Sequence, residues 1–272
     1  GCQRFNQPLK WNVGKVTEMG YMFCNCRAFN QPLEDWDVSQ VTNMNNLFDG
    51  CLVFNQTLAK WKVGNVTSMQ WMFNNCRAFN QSLEGWDVSQ VTDMSYMFMS
   101  CHAFNQPLGK WDVSKVTNMS AMFAVCRAFN QPLEWNVEKV TNMMYMFLGC
   151  HAFNQPLVWN VGNVTNMLAM FADCRAFNQP LDGWDVSKVT NMKAMFNNCL
   201  SFNQSLGSWK IKTPIGGIRQ TGLNVQNYSK SLAGWASQAD VASNIAWGEN
   251  VKGLVYNDEG NTARETLKST GW

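Results

Sequence analysis

The chain carries ten cysteines, so thiol chemistry is the first possibility to weigh. Nine of them recur at one position of a repeat: Cys2, Cys26, Cys51, Cys76, Cys101, Cys126, Cys150, Cys174 and Cys199, at intervals of 24 or 25 residues. Cys24 is the tenth. If the repeats stack like parallel strands, neighbouring members lie about 4.8 Å apart, close enough for disulfides to form. One residue type kept in register is better read as packing, because free cysteine behaves as a small buried hydrophobe. Zinc fits poorly, since its sites are tetrahedral clusters rather than a line. The expectation is a ladder of reduced thiols, with no metal and no cofactor.

Two further columns hold groups that could bind. Arg27, Arg77, His102, Arg127, His151 and Arg175 follow the cysteines by one position, and His102 and His151 are the only histidines. A row of Asp37, Asp87, Asp112 and Asp185 alternates with Asn12, Lys62, Asn136, Asn160 and Lys210. It could bind cations or a polar ligand, and its plainer reading is a solvated face. No nucleophile–base constellation, phosphate-cradling glycine loop or paired-carboxylate site stands apart from the repeat, so the chain is not expected to be an enzyme.

The elements that hold these columns follow from one repeat, Val91 to Ser114. Met94, Met97, Phe98 and Cys101 have the i, i+3, i+4, i+7 spacing of a helix. Thr92 suits its N-cap, and Arg or His beyond the cysteine suits its C-terminus. Phe104 to Leu108 reads as a turn, and its Asn105 belongs to a column that is expected to satisfy backbone groups between coils. Trp111-Asp112-Val113 reads as a short strand with Trp and Val inward. A period of this size means a solenoid, each unit burying its apolar face on its neighbours. The predicted fold is an α/β solenoid, leucine-rich-repeat-like, with one short parallel strand and one short helix per repeat. About nine coils fill residues 1–210, starting mid-repeat as if truncated. Residues 211–272 break the period at Thr213-Pro214-Ile215-Gly216-Gly217 and form an α/β cap, helical over 226–238 and 262–269 and extended over 244–256.

Composition narrows the function. Of 272 residues, 46% are hydrophobic and 15% charged, with a net charge of +2, so nothing marks a nucleic-acid or anionic-bilayer surface. No apolar run is long enough for a transmembrane helix, and no targeting signal is visible.

The string V-T-x-M-x-x-M-F-x-x-C-x-x-F-N-Q-P-L-x-x-W-D-V-S resembles the repeat of the BspA-like leucine-rich-repeat surface proteins, Mycoplasma lipoproteins among them. The resemblance covers about residues 1–210, and the tail, with Leu232-Ala233-Gly234-Trp235, is similar too. It implies an extracellular or cell-surface binding protein, often adhesive, and carries over no catalytic residue.

Specific function must then lie where the repeats differ. Positions expected to face solvent are polar early, at Asn45, Asn46, Asp49, Gln70, Asn74 and Asn75, and again late, at Lys193, Asn197 and Asn198. In repeats four to seven they become Tyr96, Met99, Ala121, Ala124, Val125, Met144, Tyr145, Leu148, Leu168, Ala169 and Ala172. A helix that is apolar all round is usually covered by something. Tyr96, Met99, Val125, Met144, Tyr145, Leu148 and Leu168 are therefore the expected contacts for a protein partner. The alternatives are a structural subunit of a larger assembly, including one associated with a membrane, or a polar or cation-dependent binder using the Asp row. Tyr21, Trp71, Tyr96 and Tyr145 share a column that could stack on sugars, interrupted by Asn46 and Ala121. Among the N-x-S/T sequons, Asn65 and Asn163 are the better-placed glycan acceptors.

Overall fold

A computed structural model describes residues 1–239, 243, 245 and 251–272. Among these, α-helix is confined to the C-terminal part, as α1 (Val225–Ala236) and α2 (Asp258–Ser269), preceded by a 3-10 turn at Ile218–Gln220. The helix expected in each repeat is a run of tight turns. In the fourth repeat (numbering from the one with Cys26), the Met97, Met99 and Cys101 amides donate three residues back, to the Met94, Tyr96 and Phe98 carbonyls. The intervening amides point the other way. Met94, Tyr96, Phe98 and Ser100 donate to Asn118, Ser120, Met122 and Ala124 of the next repeat, at 2.7–3.1 Å. An α-helix directs every amide along its own axis, so it cannot share alternate ones with a neighbour. Tyr96 and Ser100, at φ 60° and 61°, are left-handed and turn the chain out of any helix. The spacing misled because the turns also gather Met94, Met97, Phe98 and Cys101 on one side, where all four are fully buried.

The strand also sits elsewhere than expected. Parallel bridges pair Glu18 with Asn43, and so on through Asn166 with Asn191, one residue per repeat. They lie on the Val-Thr-x-Met segment. Thr92, expected as a helix cap, accepts the Thr117 amide on its carbonyl at 2.9 Å and the Thr117 hydroxyl at 3.3 Å. Trp111-Asp112-Val113 is held by turn bonds instead. The Trp111 amide reaches the Leu108 carbonyl at 3.1 Å, and the Val116 amide reaches Val113 at 2.9 Å.

Side-chain columns fasten the repeats from within. Each Asn of the Phe-Asn-Gln turn accepts the amide of the next one, as Asn105 does from Asn130 at 2.9 Å, and also a Gln side-chain N–H, here from Gln131 at 3.1 Å. From Trp61 to Trp209 each indole of the column donates to the Leu carbonyl of the repeat before, Trp111 to Leu83 at 3.0 Å. Phe98 stacks on Phe104 at 4.4 Å within its repeat and on Phe123 at 5.8 Å across to the next. One apolar core runs from Val13 to Leu267.

The C-terminal segment copies these columns with different backbone. Gly216 ends the ladder, accepting from Phe196 and donating to Met192. Helix α1 is capped by Asn224, whose side chain accepts the Asn227 amide at 2.8 Å. The Asn224 amide and the Asn227 side chain both bond to Asn203, the last of its column, and the Trp235 indole donates to Leu206 at 2.8 Å as the indoles before it do. The approach is close enough to require glycine on both sides: a Cβ on Gly234 would stand 2.5 Å from the Gly207 Cα. Asn257 caps α2, and its amide donates to Ser229 of α1 at 3.0 Å. Of the stretch expected to be extended, 251–256 is turn and irregular chain, and 244 and 246–250 lie outside the described residues.

Candidate docking face on repeats four to seven

The turn ladder presents a solvent-facing surface whose backbone is the same in every repeat. The seven residues expected to contact a partner all lie on it, and all are half-buried: Tyr96, Met99, Val125, Met144, Tyr145, Leu148 and Leu168. Backbone bonds join them rung to rung. Ala121 donates to Met144 at 2.8 Å, Val125 to Leu148 at 2.6 Å, and Tyr145 to Leu168 at 2.8 Å. Ala121, Ala124, Ala169 and Ala172 fill the rungs between and are buried. The surface is a face of turns, not of helices.

In the earlier repeats the same positions form a closed polar network. The Asp49 carboxylate accepts from Asn46 at 3.2 Å and from Asn74 at 2.7 Å. Gln70 donates to Asp93 at 2.8 Å, and Ser68 to Asn45 at 2.7 Å. Side chains there satisfy one another across repeats. The middle repeats offer apolar groups at these positions.

Two columns of the face have positive φ throughout. One holds Tyr21, Asn46, Trp71, Tyr96, Ala121, Tyr145, Ala169 and Ala194. The other holds Asn25, Gly50, Asn75, Ser100, Val125, Gly149, Asp173 and Asn198. Asn, Gly, Asp and Ser are at home in such turns. Val125, at φ 63°, is not, because its branched side chain crowds the backbone. This second column was the missed signal: turn-forming residues recur just before the cysteine, where a helix would not keep them. The possible sugar-stacking column is partly self-occupied, as Trp71 and Tyr96 stack on each other at 3.9 Å.

The other candidate residues serve the fold. Asp37, Asp87, Asp112 and Asp185 are exposed, and each accepts the backbone amide two residues on, from Ser39, Ser89, Ser114 and Ser187, at 3.0–3.1 Å. The hydroxyl of the same serine, and then its amide, lower the pKa of all four carboxyls. Asn136 and Asn160 make the same turn. All ten cysteines are free. From Cys51 to Cys199 each thiol donates to a Phe carbonyl of the repeat before, at 2.7–3.1 Å. Burial pushes these thiols up, Cys199 to about 12. Asn65 and Asn163, the expected glycan acceptors, spend their side-chain N–H groups on the Ser39 and Glu138 carbonyls.

The cation column has no helix end to serve. It lies instead against the second left-handed column: Arg77 donates to the Asn75 side chain at 2.9 Å, and Arg175 pairs with Asp173 at 3.8 Å. Burial, then the nearby Arg127 and Arg77, hold His102 below the usual histidine value. Among the described residues, no helix is long and apolar enough to cross a membrane.

No curated protein and no solved structure matches the chain. The family described as "Mycoplasma protein of unknown function, DUF285" matches three times in tandem, over residues 1–84, 56–157 and 133–235. These matches overlap and together run through every repeat and nearly all of α1, so the chain belongs to this family of Mycoplasma-type repeat proteins.

Proposed function

We propose that this chain is a non-catalytic docking module that engages a protein partner through the turn face of repeats four to seven. The fold behind it is a solenoid akin to the leucine-rich-repeat class, and its setting is the surface or secreted protein that the BspA-like resemblance implies. One observation carries the reading. Backbone and interior columns repeat almost unchanged, with Leu47 the exception in a Met column, yet the face turns from largely polar to largely apolar over four consecutive repeats and back again. Val125 lies in the middle of that stretch, in a left-handed position that disfavours it by about 1–2 kcal/mol. Asn or Gly would meet the backbone requirement there without that cost, which supports a role for Val125 outside the fold. Contiguous apolar surface of this kind is where proteins meet partners.

The test is cross-linking of the native protein in its source, with linked residues mapped. Lys115, Lys139, Lys188 and Lys193 report on the middle repeats. Links from them to one stoichiometric protein, lost in the Leu148→Asp, Leu168→Asp variant, are the expected result. Both changes are tolerated by the fold, because Asp49 and Asn45 already occupy these columns elsewhere. Links confined to Lys10, Lys60, Lys62 and Lys210 would overturn the proposal and point to the Asp row.

A further inference from the structure

Beside the apolar face runs a file of basic side chains, one per repeat: Arg77, His102, Arg127, His151 and Arg175, of which the three arginines carry the positive charge. The three arginines are exposed and the two histidines half-buried. The file borders the face directly, since Arg77 and Arg175 touch Asn75 and Asp173 in the column to which Val125 belongs. Asp173, at the far end, is the acid paired with Arg175. Among the described residues, Arg77 and Arg127 have no carboxylate within ion-pair distance. Asp93, the acid nearest the start of the apolar stretch, is occupied by Gln70 and Asn118. The face is therefore apolar along its middle and positive along one edge.

We infer that the segment docked on this face is an amphipathic stretch of a partner protein whose apolar stripe is flanked by acidic residues. This rests on the docking reading above and adds the partner's chemistry. Complementary charge at the edge of an apolar contact sets orientation and suppresses wrong partners. Repeats spaced about 4.8 Å apart spread the three arginines over roughly 19 Å, the length of about 13 helical residues. A bilayer is the poorer match. Insertion needs apolar side chains that stand proud of the surface, and the face residues are half-buried. Of the hydrophobic side chains that do protrude, Val158 and Leu200 lie off the face, and Tyr21 lies on it only in the first repeat, outside the apolar stretch.

Two synthetic fluorescent peptides test the inference. Both carry one leucine stripe at helical spacing, flanked by glutamates in one and lysines in the other. Anisotropy is read against the full chain at low and high salt, with mixed phosphatidylcholine–phosphatidylglycerol vesicles as a third probe. The glutamate peptide should bind about tenfold tighter than its lysine twin. That advantage should shrink as salt screens the edge. An Arg77→Glu, Arg127→Glu, Arg175→Glu variant should lose or invert it. Arg127→Gln alone, at an exposed position, should reduce it if the triple variant folds poorly. Equal binding of both peptides, lost in Leu148→Asp, would sink the acidic partner and leave the docking face standing. Binding to vesicles and to neither peptide would replace a protein segment with a lipid surface. No binding to any probe would overturn the inference and weaken the docking reading with it.

Discussion

Asn46 and Ala121 occupy the same left-handed position three repeats apart, and their surroundings differ in kind. Around Asn46, side chains bond to one another across repeats, through Asp49 to Asn74 and through Asn45 to Ser68. Around Ala121, the rungs hold Met144, Val125 and Leu148, which offer no such bonds and are half-covered. The interior beneath is identical: Phe48 and Phe123 are both fully buried and both stack on the next repeat. The stack is thus held by one set of columns, and the residues that differ between repeats lie on another. Interior columns cannot vary without loss of the stack. The face varies more, because most of its backbone geometry is fixed by main-chain bonds to the neighbouring repeats.

The sharpest way to break this comparison is to cut the interior in both regions. Phe73→Ala and Phe123→Ala should each cost about 3–5 kcal/mol and by similar amounts. Denaturant unfolding of the two variants checks this; a large difference would mean that the two regions are not built alike. Alkali should act next, and equally in both. The buried thiols from Cys51 onward are held above their usual 9.0, chiefly by burial, so the neutral form is favoured in the fold. That stability is fully present below pH 9.0 and is lost as pH climbs toward about 12, where Cys199 titrates. Thermal melts across this range should fall steadily. A thiol reagent at pH 8 should reach only Cys2, which is exposed, and more slowly Cys24 until the chain unfolds.

A smaller effect separates the regions. Val125→Asn should stabilise the chain by about 1 kcal/mol, since Asn accepts the left-handed backbone, while weakening capture of the partner. Asn25→Val in the polar region should destabilise by a similar amount and leave capture unchanged. If Val125→Asn improved both, the claim that Val125 is kept for docking would fail. The smallest effect belongs to the Asp row. Asp112→Asn should alter stability by no more than about 0.5 kcal/mol, because Asn136 makes the same turn bond in the next repeat. Calcium should leave the melting temperature of both forms unchanged; a clear rise for the native chain alone would revive a cation site there.

Much of this was legible in the sequence. Cysteine, asparagine, phenylalanine and tryptophan columns show themselves by period alone, and each forms a contact from repeat to repeat. The face positions were legible only in part: they are where the repeat departs from itself, but Ala121, Ala124, Ala169 and Ala172, expected to face solvent, are buried. The local backbone was not. Met94, Met97, Phe98 and Cys101 keep helical spacing whether the chain coils or turns, and hydrophobicity cannot tell the two apart. The distinguishing mark was the Asn25, Gly50, Asn75, Gly149 and Asn198 column, which asks for a left-handed residue where a helix has none. Trp-Asp-Val looked like a strand because its large apolar residues alternate, but the Asp112 carboxylate captures the Ser114 amide for a turn.

The ladder bonds run from one repeat to the next, and pulling on the two ends would load them in series. The outermost repeat would let go first, then its neighbour, with no wider collapse in between, since each repeat leans chiefly on those beside it. Every release would free 24 or 25 residues, up to about 85 Å of slack. Under tension the chain would behave as a tether that pays out in equal lengths, and the interior columns would set the force of each step.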